Sequence, residues 1–152
     1  NMDGYTLLFV GKKDYFMEQL ERFVAKSGLE KKVTFLGFVS DTDLGTLYQN
    51  AAATIVPSLM EGFGLPVLEA MANNSLVLAS DIPAIREIAG DAVKTFDPFD
   101  VDDISAKIRS IANGDKARFA SVKKRGLIAV KQFSWEDMAR KTLAVYESCI
   151  SI

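Results

Sequence analysis

The sequence predicts a doubly wound α/β fold, a Rossmann-like and mostly parallel sheet followed by a helical C-terminal segment. Three observations carry this expectation. Short apolar runs recur at Tyr5–Val10, Val33–Leu36, Ala53–Val56 and Leu76–Ala79, with a fifth strand at Ala92–Phe96. Runs without polar alternation are the mark of parallel strands covered on both faces. Helical patterns separate them, as parallel crossovers require. After Pro98 the chain reads as helix throughout.

The elements follow in order. Helix begins after Asp14, carries Phe16, Leu20, Phe23 and Val24 at one-face spacing, and stops at Gly28. Ser40 caps a short helix through Tyr48, with Asp43 at the capping-box position. A helix over about 65–73 follows the 53–56 strand, and Pro83 opens another to about Ala89. Three helices close the chain, at about 101–112, about 115–131 with a weak point at Gly126, and 135–149 with Ser134 and Asp137 as its capping box. No repeat or linker interrupts the pattern, so residues 1–152 are expected to form one domain. The last helix presents Trp135, Met138, Val145 and Cys149 on one side. That apolar face either completes the core or docks elsewhere, and Trp135 is expected to be a packing anchor.

Composition narrows the chemistry. With 152 residues and 49% hydrophobic content the chain can bury a sizeable core. The net charge is −2 and the 18 basic residues are scattered, so no basic stripe for nucleic acid is expected. A single cysteine, Cys149, excludes a disulfide framework; it reads as a small apolar residue in a reducing compartment. The absence of histidine removes Ser-His-Asp chemistry and most zinc sites within these residues. With no apolar run long enough to span a bilayer and no signal peptide, a cytoplasmic location is expected.

The densest set of constraints lies at Glu61-Gly62-Phe63-Gly64-Leu65-Pro66-Val67-Leu68-Glu69. Two glycines permit positive φ and close backbone approach to a ligand, and Pro66 suits a first helical turn. Strand, glycine-rich turn and helix N-terminus together present free N–H groups and a positive dipole end to an anion such as phosphate. The helix is apolar almost all round, so burial on most sides is expected, and a charge at Glu69 then needs a partner. Its side chain leans back over the turn, while Glu61 approaches from the loop. Carboxylates accept paired hydrogen bonds of the kind a cis-diol donates. Phosphate plus vicinal hydroxyls describes a nucleotide sugar. The competing expectation puts Glu69 on a narrow solvent strip and leaves Glu61 to complement the helix dipole.

The segment Pro57 to Ala72 resembles the EX7E signature of retaining GT-B glycosyltransferases of family 4. The likeness extends to Val33–Ser40, to Ala79-Ser80-Asp81, to Arg86–Ala92 and to Phe133-Ser134-Trp135. It implies the donor-binding half of a two-domain enzyme that moves a sugar from a nucleotide-sugar to a glycan or lipid-linked acceptor. By that resemblance Glu61 contacts donor-sugar hydroxyls, Glu69 the ribose, and the amides of Gly62, Phe63, Gly64 and Leu65 the sugar and diphosphate. Phe38 and Val39 fall in the base-contacting loop, and Ser58 lies beside the first glutamate as a further donor-binding residue. Such enzymes need no metal or other cofactor; helix N-terminus and basic side chains meet the leaving-group charge.

This sequence departs from the family at three places. Asn74 and Leu76 replace a usual Gly and Pro, and Pro83 and Ala84 replace paired glycines, which reshapes space near the donor sugar or acceptor. The family's first strand, basic loop and helix, which precede Tyr5, are not seen here, and Lys12 and Lys13 are poor substitutes by position. The missing strand is central in the family, so a gap in the sheet is expected, with self-association or marginal stability through open edges. The expected partners are the nucleotide-sugar donor and an N-terminal acceptor-binding domain, through which alone the protein would approach the inner face of a membrane. Alone, the chain is expected to be inactive. The competing function is a non-catalytic nucleotide-sugar-binding or interaction module of the same fold. A flavodoxin- or receiver-like switch shares the alternation but wants an acidic pocket after the first strand, where Gly11-Lys12-Lys13 is basic. Asp41-Thr42-Asp43 resembles a metal-binding DxD but sits where acids complement a helix dipole. Asp97, Asp100, Asp102 and Asp103 read as a solvated loop and helix start, with a weak cation site as the alternative.

Overall fold

The computed structural model describes residues 4–114 and 116–150. The elements run β1 (Leu7–Val10), α1 (Tyr15–Lys26), β2 (Val33–Gly37), α2 (Asp41–Asn50), β3 (Thr54–Val56), α3 (Leu65–Ala72), β4 (Val77–Ser80), α4 (Pro83–Ala89), β5 (Lys94–Phe96), α5 (Val101–Ala112), α6 (Lys116–Ala129) and α7 (Trp135–Ile150). One-turn 3₁₀ segments at Gly90–Ala92 and Val130–Gln132 follow α4 and α6. The alternation and the helical tail are as expected. Residues Tyr5, Thr6, Ala53, Leu76, Ala92 and Val93 fall outside the strands assigned to them.

Local chemistry sets the helix starts. The Asp14 carboxylate accepts from Met17 N–H at 3.0 Å. Ser40 Oγ accepts from Asp43 N–H at 3.1 Å and donates to the Asp43 carboxylate at 2.7 Å, so Asp43 is a capping acid. Asp100 Oδ1 accepts from the N–H groups of Asp102 and Asp103, while Asp103 accepts from Asp97 N–H. The acidic cluster is thus a helix cap with its loop, and no group of metal-ligating residues occurs among the described residues. Ser134 Oγ accepts from Asp137 N–H at 3.0 Å, and the Asp137 carboxylate turns to Arg140 and Lys141.

All strand pairs are parallel, but the sheet is in two pieces. β1 pairs with β2, and β3, β4 and β5 form a second sheet with β4 central. No ladder joins the pieces among the described residues, which is the break the sequence predicts. The coverage of the two pieces differs. Val77, Leu78, Ala79 and Ser80 of β4 are fully buried, whereas Leu7, Leu8 and Val10 of β1 are each about two-fifths exposed. Burial on both faces therefore holds for β4 and fails for β1. A two-stranded piece lacks neighbours, and α1 buries only Val24. Within that piece Phe9 stacks on its register partner Phe35 at 5.0 Å.

The main core lies under the second sheet. Val67, Ala70 and Met71 of α3 meet Val56, Val77, Ala79, Ile85 and Ile88 in one cluster. Gly126 is no weak point. It is buried in an unbroken α6, and a Cβ there would stand 3.1 Å from Met71 Cγ, so its missing side chain lets α6 close on α3. The turn after α3 needs a left-handed residue, and Asn74 supplies it with φ +57°, a conformation asparagine tolerates better than most. The apolar face of α7 does not complete this core. Trp135, Met138, Val145 and Tyr146 are all more than half exposed, and Cys149 is exposed too. Trp135 as a packing anchor is corrected here: periodicity identified the face, but no described element covers it.

Candidate donor site

Parallel strands put their C-terminal ends on one side, and the segments leaving β3, β4 and β5 there begin at Pro57, Asp81 and Asp97. In such folds ligands bind beyond those ends. The turn between β3 and α3 is built for close approach. Gly64 is the N-cap of α3 with φ +98° and no side-chain cap. A Cβ at this position would meet Ile88 Cδ1 at 2.9 Å and Ile85 Cδ1 at 3.0 Å, so both conformation and space select glycine. Among the described residues, no protein acceptor meets the N–H groups of Gly62, Phe63, Gly64 or Leu65. They stand at the positive end of α3.

Phe63 lies edge-on to Phe133, ring centroids 5.6 Å apart, which ties the turn to the segment entering α7. The contribution expected of Phe63 to donor binding was its amide, so the ring is free to serve as this anchor. Ser58 Oγ donates to Glu61 Oε1 at 2.6 Å, and Glu61 is half-buried. The expected donor-binding Ser58 therefore spends its proton on the expected catalytic carboxylate.

Glu69 is exposed, together with Leu65, Pro66 and Ala72 on the same side of α3. Burial on most sides is thus corrected to burial on one: Val67, Leu68, Ala70 and Met71 are buried, and the remaining face opens to solvent. The charge nonetheless has a partner. Tyr48 Oη donates to Glu69 Oε2 at 3.3 Å. Sequence reading missed Tyr48, since nothing local marks a residue on another helix as the partner of Glu69. Burial, then the charge and hydrogen bond of Glu69, push the Tyr48 phenol up to about 12.

Phe38, 85% exposed, and the half-buried Val39 follow β2 in the other sheet piece. No hydrogen bond or ring contact joins them to the turn among the described residues. Lys13 pairs with Glu21 at 3.6 Å on α1. Asp81, which opens the segment after β4, takes a forked hydrogen bond from Arg86 at 2.5 and 2.8 Å, and that guanidinium holds its carboxyl below the usual range. A separate depression of about 350 Å³ lies at the other end of α4, where Arg125 closes onto Asp91.

With this geometry in place, comparison with known proteins decides the family. The family model described as "Glycosyl transferases group 1" matches residues 2–126. This chain belongs to that family. Among curated relatives, the chain is 38% identical over 143 residues to the Escherichia coli O-antigen chain mannosyltransferase B, covering 94% of this chain and 37% of the relative. It is 41% identical over 110 residues to the Salmonella typhimurium O-antigen chain mannosyltransferase RfbU, covering 72% and 31% respectively. The chain thus spans about a third of the length of these two relatives. Among solved structures, sucrose-phosphate synthase from Thermosynechococcus elongatus superposes with a TM-score of 0.85 at 28% identity, over 96% of this chain and 39% of that one. Anabaena Alr3699/HepE in complex with UDP-glucose gives 0.82 at 22% identity, over 94% and 41%, a likeness of fold. These neighbours bear out the α/β group 1 fold expected from the sequence.

Proposed function

We propose that this chain is the donor-binding half of a retaining GT-B glycosyltransferase of family 4, and that its donor is a nucleoside diphosphate mannose. The observation that carries the proposal is the turn itself. Glu61 and Glu69 flank a helix N-terminus whose amides meet no protein acceptor among the described residues, with Gly62, Phe63 and Leu65 exposed around a buried, left-handed Gly64. Supporting the choice of sugar, both curated relatives named above are mannosyltransferases of O-antigen chains.

In this reading the amides of residues 62–65 and the α3 dipole take the charge that builds on the diphosphate as the glycosidic bond breaks. Glu61, held by Ser58, takes hydroxyls of the transferred sugar, and Glu69 takes the ribose diol. Phe38 and Val39 border the base. No metal is needed, because the helix end and cations from the rest of the enzyme meet the leaving group. Acceptor binding and turnover belong to a second domain, so this chain binds donor without transferring it, in polysaccharide or glycolipid synthesis on the cytoplasmic side of a membrane.

Calorimetric titration of GDP-mannose, UDP-glucose and ADP-glucose into the folded chain, with and without chelator, tests this. Binding of GDP-mannose that survives chelator and is lost in Glu69→Ala is the expected result. A folded chain that binds none of the three removes the donor-site assignment.

A further inference from the structure

The exposed carboxylate of Glu69 poses a problem for any donor grip. A glutamate on an open helix face samples several rotamers, and ordering it costs conformational entropy. A site that must hold a diol in a fork gains affinity when that ordering is done beforehand. The only side chain hydrogen-bonded to the Glu69 carboxylate among the described residues is Tyr48, at 3.3 Å.

Tyr48 is itself well placed to act as a fixed point. Its ring packs against the main core, including the cluster that contains Val67 and Met71 of α3. Its helix is registered on α3 by a second, independent polar contact. Gln49 Nε2 donates to Asn73 Oδ1 at 3.2 Å, and Asn73 Nδ2 donates to the Glu69 carbonyl at 3.0 Å. Gly45, one turn before Gln49, makes room for this seam, since a Cβ there would stand 3.3 Å from Asn73 Oδ1. Backbone register and phenol position are therefore set separately, and only the phenol reaches the carboxylate.

We propose that Tyr48 is a positioning residue for donor binding: its O–H fixes the Glu69 carboxylate in one rotamer by occupying one lone pair of Oε2, which leaves Oε1 and the second lone pair of Oε2 to accept from the ribose diol. The proposal rests on the donor-site reading above, and extends it from the turn to α2. It assigns Tyr48 no contact with the reacting atoms.

The test uses the chain with Tyr48→Phe, which keeps the ring and its packing, together with Glu69→Gln and the double variant. Three-bond Hα–Hβ couplings of Glu69 measured without ligand report its rotamer directly. A single rotamer in the parent that becomes averaged in Tyr48→Phe, at unchanged Tm, supports the proposal. Unchanged couplings overturn it. Calorimetry with GDP-mannose gives the second readout. Tyr48→Phe is expected to weaken binding about threefold to tenfold, and to have no further effect once Glu69 is Gln. Equal effects in both backgrounds overturn the proposal, because they indicate a packing role independent of the carboxylate. If the parent binds no donor, the donor-site reading falls, and the couplings alone decide whether Tyr48 positions Glu69.

Discussion

The Ser58 hydroxyl donates to the Glu61 carboxylate at 2.6 Å, across three residues of the loop that leaves β3. The bond engages one oxygen of Glu61 and leaves the other available. Hydrogen bonds to a charged acceptor are stronger than neutral ones, although solvent reduces the gain at a half-buried site. Ser58→Ala should therefore cost about 1 kcal/mol of donor binding, roughly a fivefold rise in Kd, with little change in Tm. Titration of the folded variant with GDP-mannose checks this, and unchanged affinity would detach Ser58 from the site.

Gly64→Ala should be worse for binding than its small size suggests. The left-handed φ of +98° and the two isoleucine methyl groups at about 3 Å both oppose a side chain. The expected loss of stability is about 1–3 kcal/mol, read from denaturant midpoints. Donor affinity should fall further than stability, because relaxing the turn moves the amides of residues 62–65.

Tyr48 predicts how stability responds to alkali. Its proton is held more tightly in the folded chain, at about 12 against an ordinary value of 10.0. Between those values the unfolded chain releases a proton that the folded chain keeps, so stability falls as pH rises from about 10 to about 12. Burial is the largest cause and Glu69 the next. Glu69→Gln should therefore lower the Tyr48 pKa without restoring it fully, and carbon-detected NMR of the tyrosine Cζ measures it. A Tyr48 that titrates identically in both proteins would contradict the contact.

The sheet break predicts association. β1 and β3 each keep one edge without a strand partner among the described residues, and Leu7, Leu8, Phe16 and Phe23 lie exposed in the first piece. Unpaired edges beside apolar surface recruit other chains. Sedimentation velocity should reveal concentration-dependent self-association of the isolated chain, reduced by Leu8→Lys. A concentration-independent monomer would sink this expectation.

Much of this structure was legible because its causes are local. Ser40, Asp14 and Asp100 cap helices with their own neighbours, and Pro83 opens α4 where its ring requires. The glycine-rich turn was legible for the same reason. Coverage was not. The apolar stripes of α1 and α7 look like those of a buried helix, because periodicity records which residues share a face and says nothing of what lies opposite. Glu69 shows both sides of this. Its place on α3 follows from spacing, but its exposure depends on how neighbouring elements pack, and its partner lies 21 residues away on another helix.

The two sheet pieces also bear on how the molecule opens. The strands β3 to β5 sit over a continuous apolar cluster, whereas β1 and β2 are tied chiefly to each other. Cooperative units of this kind exchange their amide protons at separate free energies. The first piece should lose protection well before the second, so the Phe38 and Val39 loop can detach and re-form while the turn at Gly64 stays intact. A ligand touching both would act as a clasp between two foldons.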